Sequence, residues 1–122
     1  ICPQFEITEE PVWIQGNRQA LRRTMQNIIK NGLDHGNKEI NIQLTKNGNE
    51  AELVFRNKVT DPGEIDIKRV FERFYKADRA RSKNSTGLGL SISRGFVWKM
   101  NGEITAEIEG NWFCIKIRFA CE

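Results

Sequence analysis

Two periodicities divide this chain. From Asn17 onward, Leu21, Met25, Ile28, Ile29 and Gly32 recur at helical spacing, with Asn17 suited to cap the helix they predict. That helix runs to about Asp34, with Gly36 just past its end. Elsewhere apolar residues fall on alternate positions. Gln4 to Thr8 and Val12 to Ile14 read as short strands around the turn Glu9-Glu10-Pro11. Ile40, Ile42 and Leu44 make Glu39 to Lys46 a strand, and Asn47-Gly48-Asn49 a hairpin turn. Ala51, Leu53 and Phe55 alternate again, with Asn57 on the same face. Lys58 to Glu64, holding Pro62-Gly63, is a loop. Ile67, Val70, Phe71 and Phe74 predict a short amphipathic helix. Leu88, Ile92, Phe96, Val97 and Met100 predict a last one that stops at Asn101-Gly102. Glu103 to Glu109 and Trp112 to Phe119 close the chain as a hairpin around Gly110-Asn111.

The order is β-β-α-β-β-α-α-β-β. Strands in antiparallel pairs, with helices grouped between them, predict an α+β fold. It is a two-layer α/β sandwich whose mixed, mostly antiparallel sheet packs on about three helices. Residues 1–122 read as one domain, without repeats or low-complexity tracts, and long enough to bury roughly two-thirds of the unfolded surface. A net charge of +3 is too weak to argue a nucleic-acid partner. The apolar runs are too short for a transmembrane span, and no N-terminal segment has the pattern of a signal peptide. Cys2, Cys114 and Cys121 lack metal-ligand spacing, and an odd count without a framework fits a reducing cytosol. Ile1 rather than Met opens the chain, which predicts a piece of a longer protein.

Two groups of residues carry candidate chemistry. Asn27, Asn31 and His35 stand at i, i+4 and i+8 on one helix stripe. Amide oxygens are hard neutral ligands suited to Mg²⁺, which keeps waters and phosphate oxygens in its shell. A solvated polar face ending in a histidine is the plainer reading. The second group is Phe71-Glu72-Arg73-Phe74-Tyr75, then a polar and basic stretch, then Gly87-Leu88-Gly89-Leu90 opening a helix. Glycines let main-chain N–H groups approach phosphate, and a helix N-terminus favours anions. Lys76, Arg79, Arg81 and Lys83 make the stretch between a flap carrying cations, though ordinary solvated charge explains them too. No aromatic residues interleave these cations, against single-strand nucleic-acid stacking.

The joint pattern is more specific than its parts. Asn27-Ile28-Ile29-Lys30-Asn31-Gly32-Leu33-Asp34-His35 resembles the N box of bacterial sensor histidine kinases. Phe71-Glu72-Arg73-Phe74-Tyr75 resembles their F box, Asp78-Arg79-Ala80-Arg81-Ser82 their lid, and Thr86-Gly87-Leu88-Gly89-Leu90-Ser91-Ile92 their second glycine box. The order and spacings are similar to the family's over essentially the whole chain. The resemblance implies the catalytic and ATP-binding domain of a two-component sensor kinase, with the GHKL-type fold shared with gyrase-type topoisomerases, some chaperones and mismatch-repair ATPases. It implies ATP and Mg²⁺ as cofactors, and transfer of the γ-phosphate to a histidine on a separate dimerisation domain. A response regulator would follow as the next partner. The fragment would be a cytoplasmic domain of a parent anchored in the bacterial cell membrane, not itself membrane-inserted.

By the family pattern, Asn31 coordinates the Mg²⁺ that bridges the phosphates, and Asn27 lies beside the γ-phosphate as the second catalytic residue. His35 is placed to contact phosphate. Gly87 and Gly89, in one turn with Leu88 and Leu90, give backbone room for the phosphates, while Thr86, Lys76, Arg79 and Arg81 close over them. Two departures stand out. The family's first glycine box, Asp-x-Gly-x-Gly, is missing. Counting back from the F box by the family spacing lands on Asn57, whose amide oxygen would accept from the adenine amino group. As a neutral partner it forfeits roughly 1 kcal/mol relative to a charged acceptor, or about five- to tenfold in affinity. Asp61, in Asp61-Pro62-Gly63, is a rival but lies closer to Phe71 than the family spacing. Asp34 is the other departure: a carboxylate there repels the triphosphate unless it faces outward or supports the Mg²⁺ shell. The chain's one histidine lies in the N box, so the phosphoacceptor must come from outside it. A degenerate regulatory module that docks on a partner without transferring phosphate is the competing expectation, motivated by the missing box.

Overall fold

The computed structural model of the chain describes residues 4–7, 16–35, 39–59, 63, 65–72 and 89–121. Asn17 starts the first helix. Its Oδ1 accepts the main-chain N–H groups of Gln19 at 2.9 Å and Ala20 at 3.1 Å, satisfying donors that a helix N-terminus otherwise leaves orphaned. The helix α1 spans Arg18–His35. Thr24 and Ile28 are buried and Leu21, Met25 and Ile29 half-buried, while Arg22, Arg23, Gln26 and Lys30 face solvent.

Five strands form one sheet: β1 (Gln4–Ile7), β2 (Ile40–Asn47), β3 (Glu50–Lys58), β4 (Glu103–Glu109) and β5 (Trp112–Ala120), in the order β1-β2-β3-β5-β4. Among the described residues only β1–β2 is a parallel pair. The mixed, mostly antiparallel sheet expected from the alternation is therefore present. Its two hairpins turn at Gly48-Asn49 and Gly110-Asn111, and each has a positive φ at the glycine alone (66° and 60°). That is the type II′ pattern, whose twist matches the flanking strands. The strand expected over Val12 to Ile14 lies outside the described residues.

Register sorts the side chains into rows across the inner face. One row is Ile42, Phe55, Ile115 and Ala106; the next is Leu44, Leu53, Ile117 and Ile104. All of these but Leu44 belong to the core or pack against it, with Ile28 of α1 and Leu90 and Val97 of the second helix, α2 (Gly89–Lys99). Each large apolar side chain fully buried here contributes roughly 1.5–3 kcal/mol. A third row reads Ile40, Asn57, Phe113 and Ile108, so a buried amide stands beside two apolar rows.

The buried stripe of α2 differs from the expected one. Leu90, Ser93 and Val97 turn inward, whereas Ile92 is 38% exposed. The small Ser93 lets α2 lie close against α1, and that rotates Ile92 outward. At its other end α2 closes as a Schellman motif. Gly102 N–H donates to the Val97 carbonyl (2.9 Å), Asn101 N–H to the Trp98 carbonyl (3.0 Å), and Asn101 has φ 60°. Gly102 is closely confined: a Cβ there would sit 2.5 Å from Phe119 Cε1 and 2.9 Å from the Arg118 carbonyl oxygen.

The short helix expected over Ile67 to Phe74 is not an α-helix where it is described. Residues 67–71 form turns, with Arg69 N–H donating to the Asp66 carbonyl and Glu72 N–H to the Arg69 carbonyl, both at 2.9 Å. Asp66 Oδ1 takes the Lys68 N–H at 3.0 Å, an Asx turn that competes with helix start. The segment's apolar anchors still hold: Val70 is buried and Phe71 packs against the core. The described helical layer thus contains two helices where about three are expected.

Both helices cover one face. β1 to β2 and β3 to β4 each join parallel strands and step the same way across the sheet, but the second pair runs opposite to the first. With both crossovers on one face, the two must have opposite hands, so one breaks the usual right-handed rule. The other face is left to charge. Arg56 pairs with Glu109 (3.4 Å), Lys116 with Glu107 (2.6 Å), and Arg118 with Glu50 (3.8 Å) and Glu52 (3.6 Å).

Candidate functional site

α1 and α2 are antiparallel. A hollow lined by Gly16, Asn17 and Ala20 together with Phe96, Met100 and Asn101 joins the start of α1 to the end of α2. In the middle of the contact, Ser93 Oγ donates to the Thr24 carbonyl at 3.5 Å, and Thr24 Oγ1 donates to the Ala20 carbonyl at 2.8 Å. The end of α1, carrying Asn31, Asp34 and His35, therefore lies toward the same side as the start of α2 at Gly89. β2 begins on that side because it follows α1. Asn57, paired with Ile40 at the start of β2, belongs there too. Topology alone thus gathers the N-box residues, the glycine-led helix entry and the buried amide at one end of the sandwich.

Along α1, each step of four residues turns by roughly 40°. The stripe Asn27, Asn31, His35 consequently winds toward the face that holds Thr24 and Ile28. Asn27 and Asn31 are both half-buried on the border of the core face, not out on the solvated one. Asp34 and His35 form the last turn of α1. Asn57 is 7% exposed on the inner sheet face. Gly89 is the first residue of α2 and Leu90 is buried behind it, so the amides at the start of this helix supply a positive dipole end. Lys76, Arg79, Arg81, Thr86, Gly87 and Leu88 lie outside the described residues, as do Phe74 and the rival Asp61.

Features not legible from motif spacing appear elsewhere in the fold. Arg94 lies over the Trp98 ring, 4.0 Å from its centroid, and 5.8 Å from that of Phe71, tying α2 to the F-box turn. Trp98 is 56% exposed. An arginine four residues before a tryptophan on a helix was the available signal. Cys114 is no candidate nucleophile: it is buried under the charged face, and burial pushes its thiol up, against the opposing hydrogen bond from Arg56. Among the described residues no group of three or more His, Cys, Asp or Glu side chains could hold a metal ion, and no helix is long and apolar enough to cross a membrane.

Comparison with known proteins identifies the fold and the family. The chain is 32% identical over 84% of its length to the sensor histidine kinase YcbM of Bacillus subtilis (strain 168), and 30% identical over 86% to the probable sensor protein PcoS of Escherichia coli. It spans 34% and 23% of their respective lengths. In fold it is similar to the mycobacterial sensor histidine kinase MprB, with a TM-score of 0.78 at 24% identity, covering 98% of this chain and 83% of that one. The profile of the family described as "Histidine kinase-, DNA gyrase B-, and HSP90-like ATPase" matches residues 16–120. Sequence profile, relatives and sheet topology converge, and the chain belongs to this family of ATP-binding domains.

Proposed function

We propose that this chain is the catalytic and ATP-binding domain of a sensor histidine kinase, passing the γ-phosphoryl group of ATP to a histidine on a separate dimerisation domain. One observation carries the reading: Asn31, the glycine entry of α2 and the buried Asn57 share one end of the fold, with Asn27 one turn behind Asn31 on α1. In this reading the phosphates lie between the end of α1 and the start of α2, and the base reaches the inner sheet face at Asn57. Asn27 orients the incoming imidazole beside the γ-phosphate. Asn31 holds Mg²⁺, and the donor chemistry fits, since a neutral amide oxygen suits a hard cation that takes its remaining ligands from water and phosphate. The ion would neutralise phosphate charge.

Transfer forms a bond from an imidazole nitrogen to the γ-phosphorus and breaks the bond to the β–γ bridging oxygen, and ADP leaves. This chemistry asks mainly for positioning and charge neutralisation, so amides, main-chain N–H groups and lid cations suffice. His35 follows the N-box amides on α1 and serves the phosphate, not the acceptor role. The partners are then the dimerisation domain and, after it, a response regulator, within a parent kinase anchored in the membrane.

The test is transfer of labelled phosphate from ATP to a supplied histidine-bearing dimerisation domain. Label in acid-labile, base-stable linkage on that domain is expected. Nucleotide binding without any transfer would favour a docking module, and absence of Mg²⁺-dependent nucleotide binding would remove the reading altogether.

A further inference from the structure

We propose that Asn57 reads the base as a two-way hydrogen-bonding partner, so that this chain accepts guanosine triphosphate nearly as well as ATP. The inference rests on the nucleotide reading above and adds the base selectivity of its site. The buried polar residues among those described are Thr24, Asn57 and Ser93. The hydroxyls of Thr24 and Ser93 are donated to main-chain carbonyls of α1, within the helical layer. Asn57 instead sits on the sheet, between Ile40 and Phe113, beside two rows that are wholly apolar. Packing alone would place an aliphatic side chain there, because a buried amide is costly without partners. Its position at the nucleotide end of the sandwich supplies another reason for it.

An amide carries an acceptor, Oδ1, and a donor, Nδ2. Adenine offers an amino donor beside the ring acceptor N1. Guanine offers a carbonyl acceptor beside N1–H. A carboxylate at this position would accept only: it would serve the adenine amino group and face the guanine carbonyl with a second acceptor. An amide meets either edge after a half-turn about its terminal torsion. Discrimination in such sites comes from leaving a buried polar group unpaired with the wrong ligand, and Asn57 is unpaired with neither base.

The experiment is equilibrium displacement of a ribose-labelled fluorescent ATP analogue from the 122-residue chain, with Mg²⁺, by ATP, GTP and purine riboside triphosphate, which lacks the 6-substituent. ATP and GTP should compete within about threefold of each other, and the purine riboside triphosphate about fivefold or more weakly. Asn57→Asp should separate ATP from GTP by about tenfold or more. A wild-type preference for ATP of tenfold or more overturns the proposal. So does a folded Asn57→Asp chain, checked by circular dichroism, with an unchanged ATP-to-GTP ratio. If that variant does not fold, the wild-type ranking of the three competitors decides. Failure of the nucleotide reading itself looks different: the labelled analogue does not bind, and both proposals fall.

Discussion

The Ser93 hydroxyl donates to the Thr24 main-chain carbonyl at 3.5 Å, and both residues are 0% exposed. This pair sets how closely α2 lies on α1, and so how the glycine entry of α2 faces the end of α1.

Ser93→Ala keeps the close approach and should cost about 1–2 kcal/mol, the value of a lost buried hydrogen bond. Ser93→Leu forces the helices apart and should cost more, about 3 kcal/mol or above, and weaken nucleotide binding as well. Urea unfolding together with nucleotide titration checks both. Equal stability of the two variants would show that the contact is not packed as described.

At the far end of α2, Gly102→Ala should destabilise by about 1–3 kcal/mol, because the main-chain oxygen of Arg118 cannot move aside as a side chain can. Asn101→Gly, one residue earlier, should stabilise by several tenths to about 1 kcal/mol, since it relieves a positive φ on a residue with a Cβ. Thermal melts of the two variants should therefore move in opposite directions.

Asn31→Ala should abolish Mg²⁺-dependent nucleotide binding with less than about 1 kcal/mol change in stability, because Asn31 is only half-buried. Asn27→Ala should retain binding and lose phosphate transfer. Calorimetry with millimolar nucleotide separates the two. Unaltered binding in Asn31→Ala would remove that residue from the site.

On the charged face, the hydrogen bond from Lys116 holds the Glu107 carboxyl below its usual range, and the same bond raises Lys116. The Glu107 contribution is present above the ordinary carboxylate pKa and lost as pH falls through the lowered one. The Lys116 contribution is present below the ordinary lysine pKa and lost as pH rises through the raised one. With side chains 44% and 33% exposed, solvent screens the pair. A double-mutant cycle with Glu107→Gln and Lys116→Met should give a coupling below about 1 kcal/mol that shrinks in high salt.

Much of this was legible in the chain because its signals are local. Alternation at Ile40, Ile42 and Leu44 and at Leu53, Phe55 and Asn57 fixed the inner face, and the side chain of Asn17 caps its own helix. What escaped depends on neighbours in space. The spacing of Leu88, Ile92 and Phe96 points to one stripe of α2, but a small residue, Ser93, wins the buried position because α1 lies against it. Residues 67–71 have helical spacing, yet Asp66 captures the Lys68 N–H and they form turns. Asn57 could be counted to from the motif, but only the register shows it lodged between Ile40 and Phe113.

The antiparallel helices also polarise the site they frame. The carbonyl end of α1 and the amide end of α2 open on the same side, so two opposite half-charges face each other across the phosphate region. In the proposed site a cation is drawn toward the α1 pole, on the side of Asn31, and an anion toward the α2 pole at Gly89. Before any side chain contacts it, a metal–triphosphate pair therefore has a preferred direction of entry, and one inverted end for end meets an opposing field.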